Sequence, residues 1–324
     1  SDGNLKTYNP GVSSFLIQQA YIGMKYRMIF ISAGCRELTD EVVNFELSSG
    51  GLVWSGNARP IPQVRAGFID FVDIPFTKGW VQIKGELAYG KFMDNDFLRD
   101  HYNYYNQYIT TDALYHHKSI SFRSNPDKPF VVTIGAELAA QFGGTKRYYE
   151  KGILIDSLTM KSPTRLKDFF KILFPSSGDG QTNEGDQAYY YGNHVGQWNL
   201  SAEYRFKDNS SVRGYFEWYY DDASGMGKFN GWDGLWGLEY KSGKKNWLSN
   251  VVLEYLDMTN QSGPLNWCPS DYNEPKLDIE ATGADDYYNN YFYNGWAHYG
   301  LSNGTAMAKS LLYNTDGYMR YKHN

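Results

Sequence analysis

WNLSAEYRFKDNSSVRGYFEWYY, residues 198–220, is two alternating arms joined by a polar turn. On the first arm Leu200, Ala202, Tyr204 and Phe206 share a face, and Asn199, Ser201, Glu203 and Arg205 share the other. After the turn at 207–211, Val212, Gly214, Phe216 and Trp218 lie opposite Arg213, Tyr215, Glu217 and Tyr219. Period-two alternation over both arms predicts an antiparallel hairpin. A soluble sandwich would bury the apolar face of such a ribbon. A membrane barrel turns that face to lipid and the polar face to a lumen.

The pattern recurs outward in both directions. Segments 15–24, 28–35, 63–73, 80–91, 115–124, 130–142, 235–240, 247–256 and 311–321 read as strands. That makes about eleven strands of roughly ten residues, the length of a tilted membrane crossing. Short turns alternate with long connections at 36–52, 92–114, 143–196, 221–233 and 257–310. The expected fold is therefore all-β: an antiparallel transmembrane β-barrel of the bacterial outer membrane, one domain over 1–324, with the long loops extracellular. Loop 143–196 holds one short helix, with Ser162 as N-cap, Pro163 at the first position and Leu166, Phe169, Phe170 and Leu173 at helical spacing. The odd count, and a first strand that runs into a short turn, imply a barrel with further strands beyond both ends of these 324 residues.

Composition agrees. Aromatics make up 17% of the chain, with 29 Tyr and 9 Trp, while the mean hydropathy of −0.56 and the apolar share of 42% leave no run long enough for a spanning helix. Half of every barrel strand faces water, so low hydropathy suits strands that cross. The net charge of −5 and the lack of a basic patch argue against nucleic acid as partner. Cys35 and Cys268 are expected as free thiols, without metal-ligand spacing.

Two segments resemble the bacterial capsule assembly protein Wzi family: SGNARPIPQVRAG at 55–67 and YYNNYFYNGWAHYGLSNGT at 287–305. QQAY at 18–21, HHKS at 116–119 and LWGLEYKSGKKNWLSNVVLEYLD at 235–257 add to it. The resemblance implies an outer-membrane barrel of about eighteen strands, consistent with the even-number rule. It implies a lectin that retains capsular or other surface polysaccharide and is not an enzyme. The partners it implies are that glycan, outer-membrane lipid and the capsule export machinery, and the protein is expected as a monomer without cofactor or metal. Members of the family are longer, and the periplasmic helices some carry have no counterpart here.

A sugar offers apolar C–H faces and hydroxyl edges, so its site needs flat rings beside amides and acids. Tyr287, Tyr288, Tyr291, Tyr293 and Trp296 stand among Asn290 and Asn294, and Tyr104 and Tyr105 among Asn103 and Asn106. These are the candidate glycan residues, although the same rings would also pack loops together or form an interfacial girdle. Lys84, Glu86, Glu137, Glu203, Arg205, Arg213, Glu217, Glu239 and Glu254 fall on the polar face and predict a charge ladder in the lumen, lining a pore or holding a plug. Arg59 is expected in an ion pair there. His116 and His117 are adjacent on a strand, so their rings point to opposite faces and share no metal. His101, His194 and His298 fall on loops. Asp94-Asn95-Asp96 and Asp285-Asp286 are calcium candidates, more commonly solvated acidic loops. Hydrolase and phosphate-binding motifs do not occur. The readings in order are a polysaccharide-binding barrel, a diffusion channel for small solutes, and a barrel hydrolase.

Overall fold

The computed structural model describes residues 17–38, 40–102, 107–182, 186, 190–221, 224–227, 232–244, 247–261, 286–309 and 320–321. In chain order the elements are β1 (Ala20–Tyr26), β2 (Ile29–Cys35), β3 (Gln63–Phe68), β4 (Val72–Asp73), β5 (Val81–Lys91), α1 (Asn95–Tyr102), β6 (Gln107–Ser124) and β7 (Phe130–Glu150). They continue with β8 (Ile153–Leu154), β9 (Met160–Lys161), α2 (Leu166–Leu173), β10 (Asn193–Arg205), β11 (Ser211–Asp221), β12 (Gly234–Lys241) and β13 (Asn250–Asp257). Two small ribbons close the list: β14 (Ala297–His298) with β15 (Leu301–Ser302), and β16 (Ala308–Lys309) with β17 (Arg320–Tyr321).

One 13-stranded antiparallel sheet organises these elements. Its path runs β1-β2-β3-β5-β6-β7-β10-β11-β12-β13, with β4, β8 and β9 as short side pairings. Each long strand pairs with its sequence neighbour, the meander that short turns dictate. The predicted hairpin is β10–β11, with Trp198 opposite Trp218, Leu200 opposite Phe216 and Glu203 opposite Arg213. Its turn, at 206–210, is as long as the expected one at 207–211 but set one residue earlier. Phe206 N–H donates to Ser210 O (2.8 Å), Asp208 Oδ1 accepts from Ser210 Oγ (2.6 Å), and Asn209 takes φ 64°. Asn tolerates that conformation and Asp caps its own turn, so Ser211 already belongs to the second strand.

Among the described residues no second sheet packs on the apolar face. Leu200, Ile134 and Leu253 are 46%, 55% and 68% exposed, and Val132 is half-buried. Phe216 is buried, but by its neighbours on the same face: it stacks on Trp236 at 3.9 Å beside Trp218. The polar face is the covered one. Segments 40–62 and 286–309 fold back over it and make about half of the main hydrophobic cluster, including Leu52, Val53, Trp54, Ile61, Tyr288 and Trp296. Two connections expected as extracellular loops thus pack against the sheet's polar side.

Three further boundaries differ from expectation. Residues 92–114 contain α1 and the start of β6, and β7 runs on to Glu150, because Gly143 and Gly144 carry the chain through at positive φ opposite Asp112 (φ 59°) instead of ending the strand. The N-cap of α2 is Arg165 and not Ser162: Asp168 Oδ2, one turn in, accepts from Arg165 N–H at 2.7 Å. His194 lies in β10, not on a loop. The first and last expected strands fall partly outside the described residues, as do Cys268 and Asp285. No described helix is long and apolar enough to cross a membrane.

Candidate functional site

The charged residues of the polar face explain how the two returning segments are held. Leu52 N–H donates to Glu217 Oε2 at 2.9 Å. Ser48 Oγ and Ser49 N–H donate to the two oxygens of Glu254 at 2.6 and 2.7 Å, and Asn44 Nδ2 donates to Glu239 at 2.6 Å. Strand carboxylates therefore receive the backbone and hydroxyl donors of an irregular segment that has no ladder of its own, as buried polar groups require. Gly237 matters to this arrangement, because a Cβ there would collide with the Tyr215 ring. Its absence lets that ring cross β12, and the Tyr215 hydroxyl donates to Glu254 at 2.5 Å.

Segment 286–309 locks onto the first. Trp296 Nε1 donates to Val53 O (3.0 Å), Tyr288 OH to Leu52 O (2.5 Å) and Asn57 Nδ2 to Ser302 O (3.1 Å). It also grips the sheet: Gln141 Nε2 donates to Gly295 O (3.1 Å), and Asn294 bonds the backbone of Tyr108 and Thr110. Rings fill the remaining space, with Trp54 edge-on to Trp296 at 5.4 Å and Tyr219 against Tyr287 at 4.7 Å. Most of the predicted glycan residues thus belong to this plug. Tyr287, Tyr288, Tyr293 and Trp296 are buried, Asn290 and Asn294 are half-buried in internal hydrogen bonds, and Tyr291 is 54% exposed. Tyr104 and Tyr105 lie outside the described residues.

Beneath the plug runs a connected set of ionisable groups. Arg65 pairs with Glu86, whose Oε1 is 3.2 Å from His117 Nδ1, and His117 Nε2 is 2.7 Å from Glu137 Oε1. Asp40, from the plug, meets Glu137 and also accepts from Trp54 N–H at 3.4 Å. Gly51 permits the approach, since a Cβ there would overlap the Asp40 carboxyl. The other residues of that series pair as follows. Lys84 pairs with Glu41 and Arg213 with Glu239 (2.6 Å), while Glu203 and Arg205 pair with each other (2.8 Å) near the turn. Among the described residues Arg59 makes no ion pair: its guanidinium lies 4.1 Å from the Tyr299 ring centroid. Its carbonyl accepts from His298 Nδ1 at 2.8 Å, while His298 Nε2 accepts from Met93 N–H at 3.2 Å. The two bonds fix the neutral tautomer, and burial lowers this histidine's pKa in keeping with it. Asp94 turns inward to Tyr299 N–H (3.0 Å) and Asp96 outward to Arg99 (2.7 Å), so the calcium candidate does not converge.

Asp40 predicts a pH effect. Burial first, then the charges of Glu137 and Glu217, hold its carboxyl well above the ordinary range. The folded protein therefore keeps a proton that the unfolded chain releases at about pH 4. Plug stability should fall as pH rises from there to the raised value, by up to ~1.4 kcal/mol per unit crossed. Asp40→Asn, whose amide imitates the protonated acid, should melt higher than wild type at pH 8, with the gap narrowing at pH 5. A pH-independent gap would remove Asp40 from this role.

At the long-loop end a cleft of about 360 Å³ opens between α1 and the extensions of β6 and β7, lined by Asn95, Arg99, Thr111, Asp112, Arg147 and Tyr149, among others. Asn95 and Asp112 brace each other (2.8 and 3.1 Å), Lys91 pairs with Asp112 (2.6 Å), and Arg147 donates to Thr111 (2.8 Å). Cationic donors, carboxylate acceptors, a hydroxyl and a ring edge thus stand around one solvent-open space. Of these residues the sequence singled out Asn95 alone, as part of a calcium candidate, because charges near a loop carry no signal until α1 and the strand extensions bring them together.

A single antiparallel meander, apolar and largely exposed on one face and covered by its own segments on the polar one, is an all-β sheet of the kind a β-barrel is built from. No family model and no curated protein matches the sequence. Among solved structures the chain is similar in fold to Wzi of Escherichia coli, an outer membrane protein involved in group 1 capsule assembly and described as a carbohydrate-binding β-barrel. The TM-score is 0.50 at 15% identity, over 89% of this chain and 49% of that one. The chain thus spans about half the length of that protein. The likeness read from the sequence motifs is met here at the level of fold.

Proposed function

We propose that this chain is a non-catalytic, surface-polysaccharide-binding protein of the bacterial outer membrane, with its long-loop end outside the cell and the glycan held at that end. Capsule assembly is the process it would serve. The observation that carries the reading is the pairing of a lipid-ready outer face with a polar face sealed by the protein's own segments. A diffusion channel needs an open polar path, whereas a binding protein needs a rigid platform, and the plug supports the second. The Tyr–Asn loop at 287–296 contributes that platform and presents Tyr291, and the cleft lined by Arg99, Arg147 and Tyr149 supplies donors, acceptors and a ring edge for a sugar. Retention on a column of immobilised capsular polysaccharide tests this. Arg147→Ala, which leaves the plug untouched, should weaken retention at least ~10-fold, the worth of one charged hydrogen bond. Steady current through wild-type protein in planar bilayers, with no retention of glycan, would replace this reading with the channel.

A further inference from the structure

α2 lies on the apolar face of the sheet. Lys118 Nζ, from β6 on that face, donates to the C-terminal carbonyls of Ile172 (3.2 Å) and Leu173. Phe169 packs on Tyr89 (5.4 Å) and Phe142 (5.2 Å), and Ile172 is fully buried with Phe142 and Tyr191. The strand register fixes its height. Trp198, Trp218, Ala136 and Ile120 stand in one cross-strand row; Lys118, Leu138, Gly196 and Tyr220 form the next row toward the long-loop end, and His116, Ala140 and His194 the one after. Rows are about 7 Å apart along a strand. The helix begins one row past Trp198, whose row also holds Trp218 stacked on Trp232. Indoles gathered in this way mark a membrane–water boundary.

Only part of the helix's apolar surface is used by the wall. Leu166, Phe170 and Phe174, four residues apart, are 77%, 56% and 70% exposed. At about 3.6 residues per turn the circumference divides into three arcs. Asp168, Phe169 and Ile172 face the sheet, Leu166, Phe170 and Phe174 form a free apolar stripe, and Lys167 and Lys171 follow on the far side of it. Asp179 gathers Arg165, Lys167 and Lys171 at 2.8, 2.9 and 3.7 Å, and Asp168 also pairs with Arg165. A basic edge beside an apolar stripe is the pattern of a helix that lies in a bilayer interface. Ile120 and Phe122, on the same face of β6 as Lys118, are exposed as well, so the wall beneath the helix and its free stripe ask for one apolar solvent.

We propose that α2 is an interfacial membrane helix clamped to the outer wall. Leu166, Phe170 and Phe174 enter the acyl chains of the adjoining leaflet, and Lys167 and Lys171 stay at headgroup level. The arrangement also shields Lys118, a cation on a lipid-facing strand, with the helix's own carbonyls. The inference rests on the membrane reading above, and the test separates the two. The full chain, with Cys35 and Cys268 replaced by Ser, carries one spin label at Phe170→Cys, Phe174→Cys, Lys167→Cys or Leu200→Cys and is reconstituted into dioleoylphosphatidylcholine vesicles. Collision rates with oxygen and with a water-soluble nickel chelate give each label's depth. Labels at 170 and 174 are expected to favour oxygen at a shallower depth than the label at 200, while the label at 167 favours nickel. Labels at 170 and 174 that behave like 167, with 200 still in lipid, overturn the helix proposal alone. Low access to both reagents at 170 and 174 would mean a protein partner and overturns it equally. A water-exposed label at 200 removes the membrane reading and this proposal together.

Discussion

Replacing Trp296 by alanine should cost ~3–5 kcal/mol and loosen the plug, the range for truncating a large core aromatic. The indole is fully buried between Trp54, Phe92 and Tyr115, and its N–H holds Val53 O, so one side chain links segment 286–309 to segment 40–62. Its loss leaves a cavity and an unpaired carbonyl at the centre of the core that covers the polar face. Limited proteolysis should then cut within 40–62 in folded protein, and the thermal midpoint should fall. Tyr291→Ala, on the same segment but exposed, should change neither. A Trp296→Ala variant as resistant as wild type would mean that the sheet holds segment 40–62 without help from segment 286–309.

The effect would not have been anticipated from the sequence, and the reason is physical. The hairpin at 198–220 was legible because a strand's faces repeat every second residue, so Trp198, Leu200 and Phe216 declare their side without reference to anything distant. Glu217, Glu239 and Glu254 were legible as polar-face residues on the same ground. Their partners were not: Leu52 N–H is 165 residues from Glu217, and segment 40–62 has no period to read. The Tyr–Asn loop illustrates the ambiguity. A sugar and a plug ask for the same rings and amides, so composition singled out Tyr288 and Trp296 but could not say what they touch. α2 was visible through the spacing of Leu166, Phe169, Phe170 and Leu173, and α1 was missed because Phe97 and Leu98 alone give no stripe. The misplaced start of α2 has a local cause: capping there comes from Asp168 reaching back, and Arg165 itself is not a residue type that announces a cap.

His117→Leu should be as damaging as the loss of Trp296, for electrostatic reasons. The imidazole sits buried with a Glu86 oxygen 3.2 Å from Nδ1 and a Glu137 oxygen 2.7 Å from Nε2. Arg65 still serves Glu86 when the ring is gone. Among the described residues Glu137 has no second cation of that kind, only the uncharged carboxyl of Asp40. Removing one member of a buried charged set typically costs ~3–5 kcal/mol, because the partner keeps its desolvation and loses its compensation. The thermal midpoint should drop accordingly, and the drop should depend on what stands at position 40. In the double variant the amide introduced by Asp40→Asn presents an N–H to Glu137 at every pH, whereas the Asp40 carboxyl presents its O–H only while it holds a proton, so the comparison is made at high pH. His117→Leu in that background should therefore cost less than in wild type by ~0.5–3 kcal/mol, the usual size of coupling between residues in one network. Additive losses would show that Asp40 and His117 act on Glu137 independently. A harmless His117→Leu would show that the buried carboxyls take up protons instead, and that the network beneath the plug is held by hydrogen bonds between acids.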